Sequence, residues 1–304
     1  MRFTAEITLA ERCRPSELGG PVIAELARAA EESGFDAISF NDHPIPSRKW
    51  LGAGGHDAHD PVAVHAYCAA VTERIRVIPY LVVLPYRDPA LLAKAFASLD
   101  VLSGGRTVAA LGAGYLGSEF GAVGVPFEER NARFDEGLDV MRAIWRATDG
   151  LAYEGEFSRL HDQVSTPPPI RHDIPVWIGG NGAIARERVA RAGDGWAPLV
   201  GVTDVMSKTV RTAPLPDLAA FGAAMADLRS RCDAAGRDWA AIEVQAGGGP
   251  CAHGGADTAA HRDWITALGE LGATQHVVDF QIGGSRDGLA ELRRFGEQIV
   301  SRLS

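Results

Sequence analysis

The chain has 304 residues, 46% of them hydrophobic and 23% charged, enough to build one large α/β domain or two ordinary ones around a full core. Its formal net charge of -9 argues against a nucleic-acid or anionic-membrane surface, since both need clustered Lys and Arg, and makes a small molecule the expected partner. Cys13, Cys68, Cys232 and Cys251 form no C-x-x-C pair, and neither a signal-like apolar segment nor a bilayer-length apolar run is present, so a cytoplasmic protein with reduced thiols is expected.

In chain order, β-like runs alternate with amphipathic stretches. "RFTAEIT" alternates as a strand and leads to "PVIAELARAAEESG", where Ile23, Leu26, Ala27 and Ala30 share a face and Gly34 ends the helix. "FDAISFND" is the second strand, followed by a Gly- and His-rich loop and the helix "DPVAVHAYCAAVTER", with Pro61 in its first turn. "IRVIPYLVVL" is the third strand; "PALLAKAFASLDVLSGGR" places Leu92, Ala95, Phe96, Leu99 and Leu102 on one helix face, and "TVAALGAG" is the fourth strand. In "FDEGLDVMRAIWRA" the residues Phe134, Leu138, Met141 and Trp145 follow helical spacing. The unit recurs in "IPVWIGG" with "AIARERVARAG", in "DGWAPLV" with a helix around Leu218 to Cys232, in "AIEVQAG" with a helix around Thr258 to Leu271, and in "QHVVDF" with the closing helix through Leu289, Leu292, Phe295 and Ile299. Roughly eight such units close a (β/α)8 TIM barrel, and no shift in composition divides residues 1–304, so one domain is expected. Three long connections, about Pro44 to His59, Tyr115 to Arg130 and Val200 to Pro216, are candidate walls of a site; a further excursion runs from about Leu151 to Asp173.

"LGAGYLGSEF" puts Gly112, Gly114 and Gly117 in the G-x-G-x-x-G spacing of a dinucleotide-binding turn. That turn requires its last Gly to open a helix packed on the strand, whereas Gly121, Gly124 and Pro126 are expected to interrupt any helix before about Asn131. A Rossmann reading is therefore set aside. Gly112 and Gly114 at a strand end instead fit a tight bend or the close approach of a planar cofactor.

"GFDAISFNDH", "TERIRVIPYLVVLPYRDPALLAKAFASLDVLSGGR", "ALGAGYLGSEFGAVGVPFEERNARFDEGLDVMRAIW" and "IPVWIGGNGAIARERVARAGDGW" together resemble successive blocks of the luciferase-like monooxygenase superfamily. The resemblance implies a TIM barrel with insertions that binds F420 or FMN, with the ring in the mouth at the C-terminal strand ends. Asp42 and His43 stand where F420-dependent members carry an Asp-His pair, which implies hydride transfer between the deazaflavin and a small organic substrate. His43 would then give or take a proton, and Asp42 would orient it or help bind the cofactor. The alternative is an FMN-dependent monooxygenase inserting oxygen from a flavin peroxide; a barrel that only binds a cofactor is weaker still.

The same resemblance implies a non-prolyl cis peptide at Tyr80-Leu81 behind the ring, although Pro79 and Tyr80 depart from the small residues common there. It also implies contact of the ring region with Gly112, Ala113 and Gly114, and a phosphate loop at Gly179, Gly180, Asn181 and Gly182, where N-H groups at a helix start attract an anion. Members that oxidise a sugar phosphate carry an acidic residue directly after the Gly-x-Gly; Tyr115 stands there, which argues against that substrate. Glu119 reads as structural, and Trp50, Trp177 and Trp196 as either pocket lining or core. His56, Asp57, His59 and Asp60 in "GHDAHD" lack a chelating spacing and read as a polar loop without a metal. Glu128 to Arg130 and Arg133 read as the charged start of a helix, and the family's habit of pairing through barrel helices implies a homodimer.

Overall fold

A computed structural model describes residues 1–10, 13–249, 258–284 and 286–303, so Cys251 lies outside the described residues. The strands in chain order are β1 (Arg2–Leu9), β2 (Ala37–Phe40), β3 (Arg76–Val77), β4 (Val82–Val83), β5 (Ala109–Gly112), β6 (Leu151–Glu154), β7 (Arg159–Gln163), β8 (Val176–Gly179), β9 (Gly195–Ala197), β10 (Leu199–Val200), β11 (Glu243–Gly248), β12 (Gln275–Gly283) and β13 (Arg286–Asp287). Hydrogen bonding runs in the order β3-β2-β1-β12-β11-β9-β8-β5-β4. The two ends of that order are halves of one strand. Val77 N-H donates to Arg106 O at 3.1 Å and Val108 N-H to Val77 O at 3.2 Å, so the parallel sheet closes into a TIM barrel.

The outer ring is formed by the helices Gly20–Glu32, Pro61–Val71, Pro89–Ser103, Arg130–Arg146, Ala183–Ala192, Leu218–Ala234, Thr258–Glu270 and Gly288–Phe295. Their starts follow the sequence signals: Asp60 caps the N-H groups of Val62 and Ala63, Asp88 those of Ala90 and Leu91, and Asp217 that of Ala220. Gly104 ends Pro89–Ser103 at φ +69, a conformation that favours a residue without Cβ. Two apolar cores fill the space between strands and helices, one around Phe96, Phe134, Trp145, Trp196 and Phe221, the other around Phe3, Phe35, Phe280 and Phe295.

Inside the barrel a smaller apolar cluster, Ala37, Ile78, Val108, Ala110 and Trp177, closes the centre. Toward the C-terminal end the interior turns polar. Glu6 is in register with Ser39 on one side and Asp279 on the other, and paired residues of parallel neighbours share a face, so all three project inward.

The three long connections all leave C-terminal strand ends and carry short helices that the sequence pattern does not announce: Arg48–Leu51, Gly117–Ala122 and Asp204–Val210. The second corrects the expectation of no helix before about Asn131. Gly117 does open a helix, because Gly121 is tolerated within a helix of six residues that stops at Val123 and turns at Gly124, φ +75. The excursion from Leu151 to Asp173 lies at the opposite end, before β8, and contains the antiparallel hairpin of β6 and β7. Among the described residues no helix is long and apolar enough to cross a membrane.

Candidate active site

β2 runs straight into Asn41, Asp42 and His43, so the rim begins where its buried stretch stops. The carboxylate of Asp42 does not reach His43. It accepts two hydrogen bonds from Arg87, at 2.6 and 2.7 Å, and one from Val83 N-H at 2.9 Å, and its side chain is 1% exposed. The expectation that Asp42 orients the imidazole is corrected. Asp42 instead ties β2 to the end of β4, with its charge met by a bidentate guanidinium.

His43 finds its carboxylate elsewhere. Its Nδ1 lies 3.3 Å from Glu119 Oε2, and its Nε2 lies 3.5 Å from Tyr115 Oη. Tyr86 donates to the same Glu119 oxygen at 3.3 Å, and Glu119 is 2% exposed. Burial, then the Asp42 and Glu119 carboxylates, pushes Tyr86 well above the ordinary phenol range, and burial pushes Tyr115 up to about 12, so both remain donors at neutral pH. Glu119 is thus the partner that sequence reading set aside. Its place on Gly117–Ala122 depends on the helix that the glycine pattern concealed.

Aromatic rings complete the wall. Trp50 packs on His43 with ring centres 4.3 Å apart, and His56 meets His43 at 5.0 Å and Trp50 at 5.2 Å. Burial lowers His56 below the usual imidazole range, which keeps it neutral. The rest of "GHDAHD" is structural: Asp57 accepts from Cys13 N-H, His59 Nε2 lies 3.0 Å from Leu18 O, and Asp60 caps a helix. No group of three or more potential ligands is poised for a metal among the described residues.

The floor is the bulge between β3 and β4, where the Tyr80-Leu81 peptide is cis. Tyr80 crosses the barrel, and a Cβ on Gly247 would sit 3.3 Å from its hydroxyl. Beside it Asn41 donates to Glu6 at 3.0 Å, while burial and the neighbouring Asp279 carboxyl push Glu6 up to about 8.

The glycines have a different role from the one expected. A Cβ on Gly112 would press on Leu81 at 3.3 Å, one on Gly179 would overlap the Leu81 side chain, and one on Gly114 (φ +77) would strike Val83 and Phe120. These three positions make room for the bulge and the rim, so Gly112 and Gly114 do not present an open face to a ring. Ala113 packs partly buried against the larger core.

At the end of β8, Asn181 is 2% exposed and its polar groups are engaged: the amide donates to Leu199 O and Ala213 O, accepts from Leu199 N-H, and its own N-H donates to Thr212 Oγ1. It clamps the loop and leaves nothing for a ligand, which corrects its expected contact. Gly180 is half-buried at φ +114, with its carbonyl held by Trp196 Nε1 at 2.8 Å. Gly182 starts the helix Ala183–Ala192 with no side-chain cap, and a Cβ there would meet nothing within 4 Å. Phe127, from the β5 connection, carries the guanidinium of Arg130 at 4.1 Å and that of Arg211 at 4.6 Å from its ring centre. Arg211 adjoins Thr212, so cationic groups border the uncapped turn. Arg133 pairs with Glu129 and covers Phe157, away from the site. Of the tryptophans, Trp50 lines the mouth, whereas Trp177 and Trp196 are core.

The residues present fit the phosphate end of an F420 or FMN group, since the first turn of Ala183–Ala192 has no side-chain cap and Arg130 and Arg211 both stand on Phe127 nearby. Across solved structures the whole chain superposes on a monooxygenase, RslO1, from Streptomyces bottropensis (TM-score 0.76, 21% identity, all of both chains) and on an F420-dependent secondary alcohol dehydrogenase in complex with an F420-acetone adduct (TM-score 0.75, 16% identity, all of both chains). These likenesses show the fold. Among curated proteins it is 35% identical over 195 residues to an F420-dependent glucose-6-phosphate dehydrogenase of Segniliparus rotundus, covering 62% of this chain and 54% of that protein. It is 32% identical over 175 residues to an FMNH(2)-dependent dimethylsulfone monooxygenase of Pseudomonas putida, covering 56% of this chain and 46% of that protein. The match therefore spans about half the length of these relatives. The family described as luciferase-like monooxygenase matches residues 14–281, and with most of the chain inside that match, this protein belongs to the luciferase-like monooxygenase family.

Proposed function

We propose that this protein is an oxidoreductase that binds F420 across the barrel mouth and transfers hydride between it and a small organic substrate, with His43 moving the accompanying proton. When bound, F420 supplies or accepts the hydride at its deazaflavin C5. The observation that carries the reading is the setting of His43, held at both ring nitrogens beside an aromatic wall and above the Tyr80-Leu81 bulge. Hydride transfer to or from an oxygen-, nitrogen- or carbon-bound centre leaves a proton to be moved at the adjacent atom, and in this reading His43 moves it. Trp50 and His56 keep water from its ring. Tyr115, where the resemblance would require an acid for sugar-phosphate oxidation, supports a different substrate.

Arg130, Arg211 and the first turn of Ala183–Ala192 would hold the cofactor's anionic end. Gly182→Asp tests this directly, since a Cβ there meets nothing within 4 Å and the substitution puts a carboxylate at the turn. Affinity for F420 should fall about tenfold or more with the melting temperature unchanged or raised, because the carboxylate caps the same N-H groups; unaltered affinity would remove the loop from the site. The relative that uses FMNH(2) supports a second reading, in which the same mouth takes FMN for an oxygenation.

A further inference from the structure

We propose that Glu119 is the positioning residue of His43, fixing the tautomer with hydrogen on Nδ1 so that Nε2 faces the mouth as a proton acceptor. This deepens the reading of His43 given above, and it rests on hydrogen-bond directions. Glu119 Oε2 receives the hydroxyl of Tyr86 and faces His43 Nδ1 at 3.3 Å, with side-chain exposures of 2% and 9% for Glu119 and His43. A carboxylate oxygen only accepts, so the imidazole nitrogen facing it must carry the hydrogen; the other tautomer would set two lone pairs against each other in a site that excludes water. Burial keeps Tyr115 protonated, and its hydroxyl donates to Nε2. At 3.5 Å that contact is long, so a substrate hydroxyl can displace it.

The charge arrangement agrees. Asp42, adjacent in sequence, is matched by Arg87, which leaves Glu119 as the carboxylate in contact with the ring. When Nε2 takes a proton, the resulting imidazolium lies between that buried carboxylate and the face of Trp50. Glu119 Oε1 is buried and accepts no hydrogen bond among the described residues, so the carboxylate is not spent on the backbone.

The test is the tautomer itself, read by imidazole nitrogen shifts in histidine-15N-labelled protein without cofactor at about pH 8, with His43 assigned by loss of its signals in His43→Gln. The wild type should show Nδ1 protonated and Nε2 bare. Glu119→Gln, whose amide oxygen still accepts, should keep that state. Glu119→Ala should turn the ring to the Nε2-H form that a free neutral imidazole favours. A wild-type ring protonated at Nε2, or an Nδ1-H form that survives Glu119→Ala, overturns the proposal; the wild-type spectrum decides even if the alanine variant fails to fold. Because no cofactor is present, failure of F420 to bind leaves this result standing, so the two readings fail separately.

Discussion

In the proposed reading His43 moves the proton, and the residues that hold it come from positions far apart in sequence. His43→Ala should lower turnover about 10²- to 10⁴-fold, the usual contribution of a positioned acid-base group, while F420 affinity measured by titration changes less than about threefold. Equal losses of affinity and turnover would make His43 a binding residue instead. The place of Asp42 and His43 at the rim was legible because both follow a strand whose buried stretch is plain. Glu119 was not: 76 positions separate it from His43, and only the closed barrel brings them together. Asn181 was misread for a related reason. Its loop looked like exposed backbone, and the Leu199 and Thr212 partners that bury it come from later in the chain.

Single elements are tied to the site by contacts that invite substitution. Gly179→Ala would drive a methyl into Leu81 beneath the mouth; overpacking of this kind costs about 1–3 kcal/mol, and F420 affinity should fall with stability. Denaturant titration paired with binding checks both, and an unchanged midpoint would show that the bulge yields freely. Arg142 binds Asp173 and Asp194 and donates to Ala192 O, fastening Arg130–Arg146 to the segments before β8 and β9. Its acidic partners are half-exposed, so Arg142→Met should cost about 2–3 kcal/mol, below the loss for a fully buried pair. The outer helices of regular periodicity were legible, but "IRVIPYLVVL" splits into β3 and β4 and "DGWAPLV" into β9 and β10. The short helices Arg48–Leu51, Gly117–Ala122 and Asp204–Val210 were not legible, because four to seven residues cannot display a period and are fixed by tertiary contacts.

Across the molecule, buried titratable groups set how stability follows pH. Burial lowers His65 and His276 to about 4, so between there and the ordinary imidazole value the unfolded chain binds more protons and stability rises with pH. Glu6, raised to about 8, acts oppositely: the folded state holds its proton longer, and stability falls as pH climbs from about 4.5 to about 8. Of these three groups, two histidines outweigh one carboxyl below about pH 6.5 and Glu6 alone acts above it, so their balance puts the melting-temperature maximum near pH 6.5, and Glu6→Gln should flatten the decline above that point. A melting temperature that keeps rising to pH 8 would contradict the Glu6 assignment.

The barrel itself was the most legible level, since the repeated strand-helix unit is a property of the whole chain, whereas the cofactor is distinguished by a few side chains at one rim. Titration of the purified protein with reduced F420 and with reduced FMN, each followed by an oxygen electrode, tests the central claim most directly. Hydride transfer predicts that F420 binds at micromolar concentration, at least tenfold more tightly than FMN, with no cofactor-dependent oxygen uptake. Tighter FMN binding with rapid oxygen consumption would contradict it and make the protein a flavin monooxygenase.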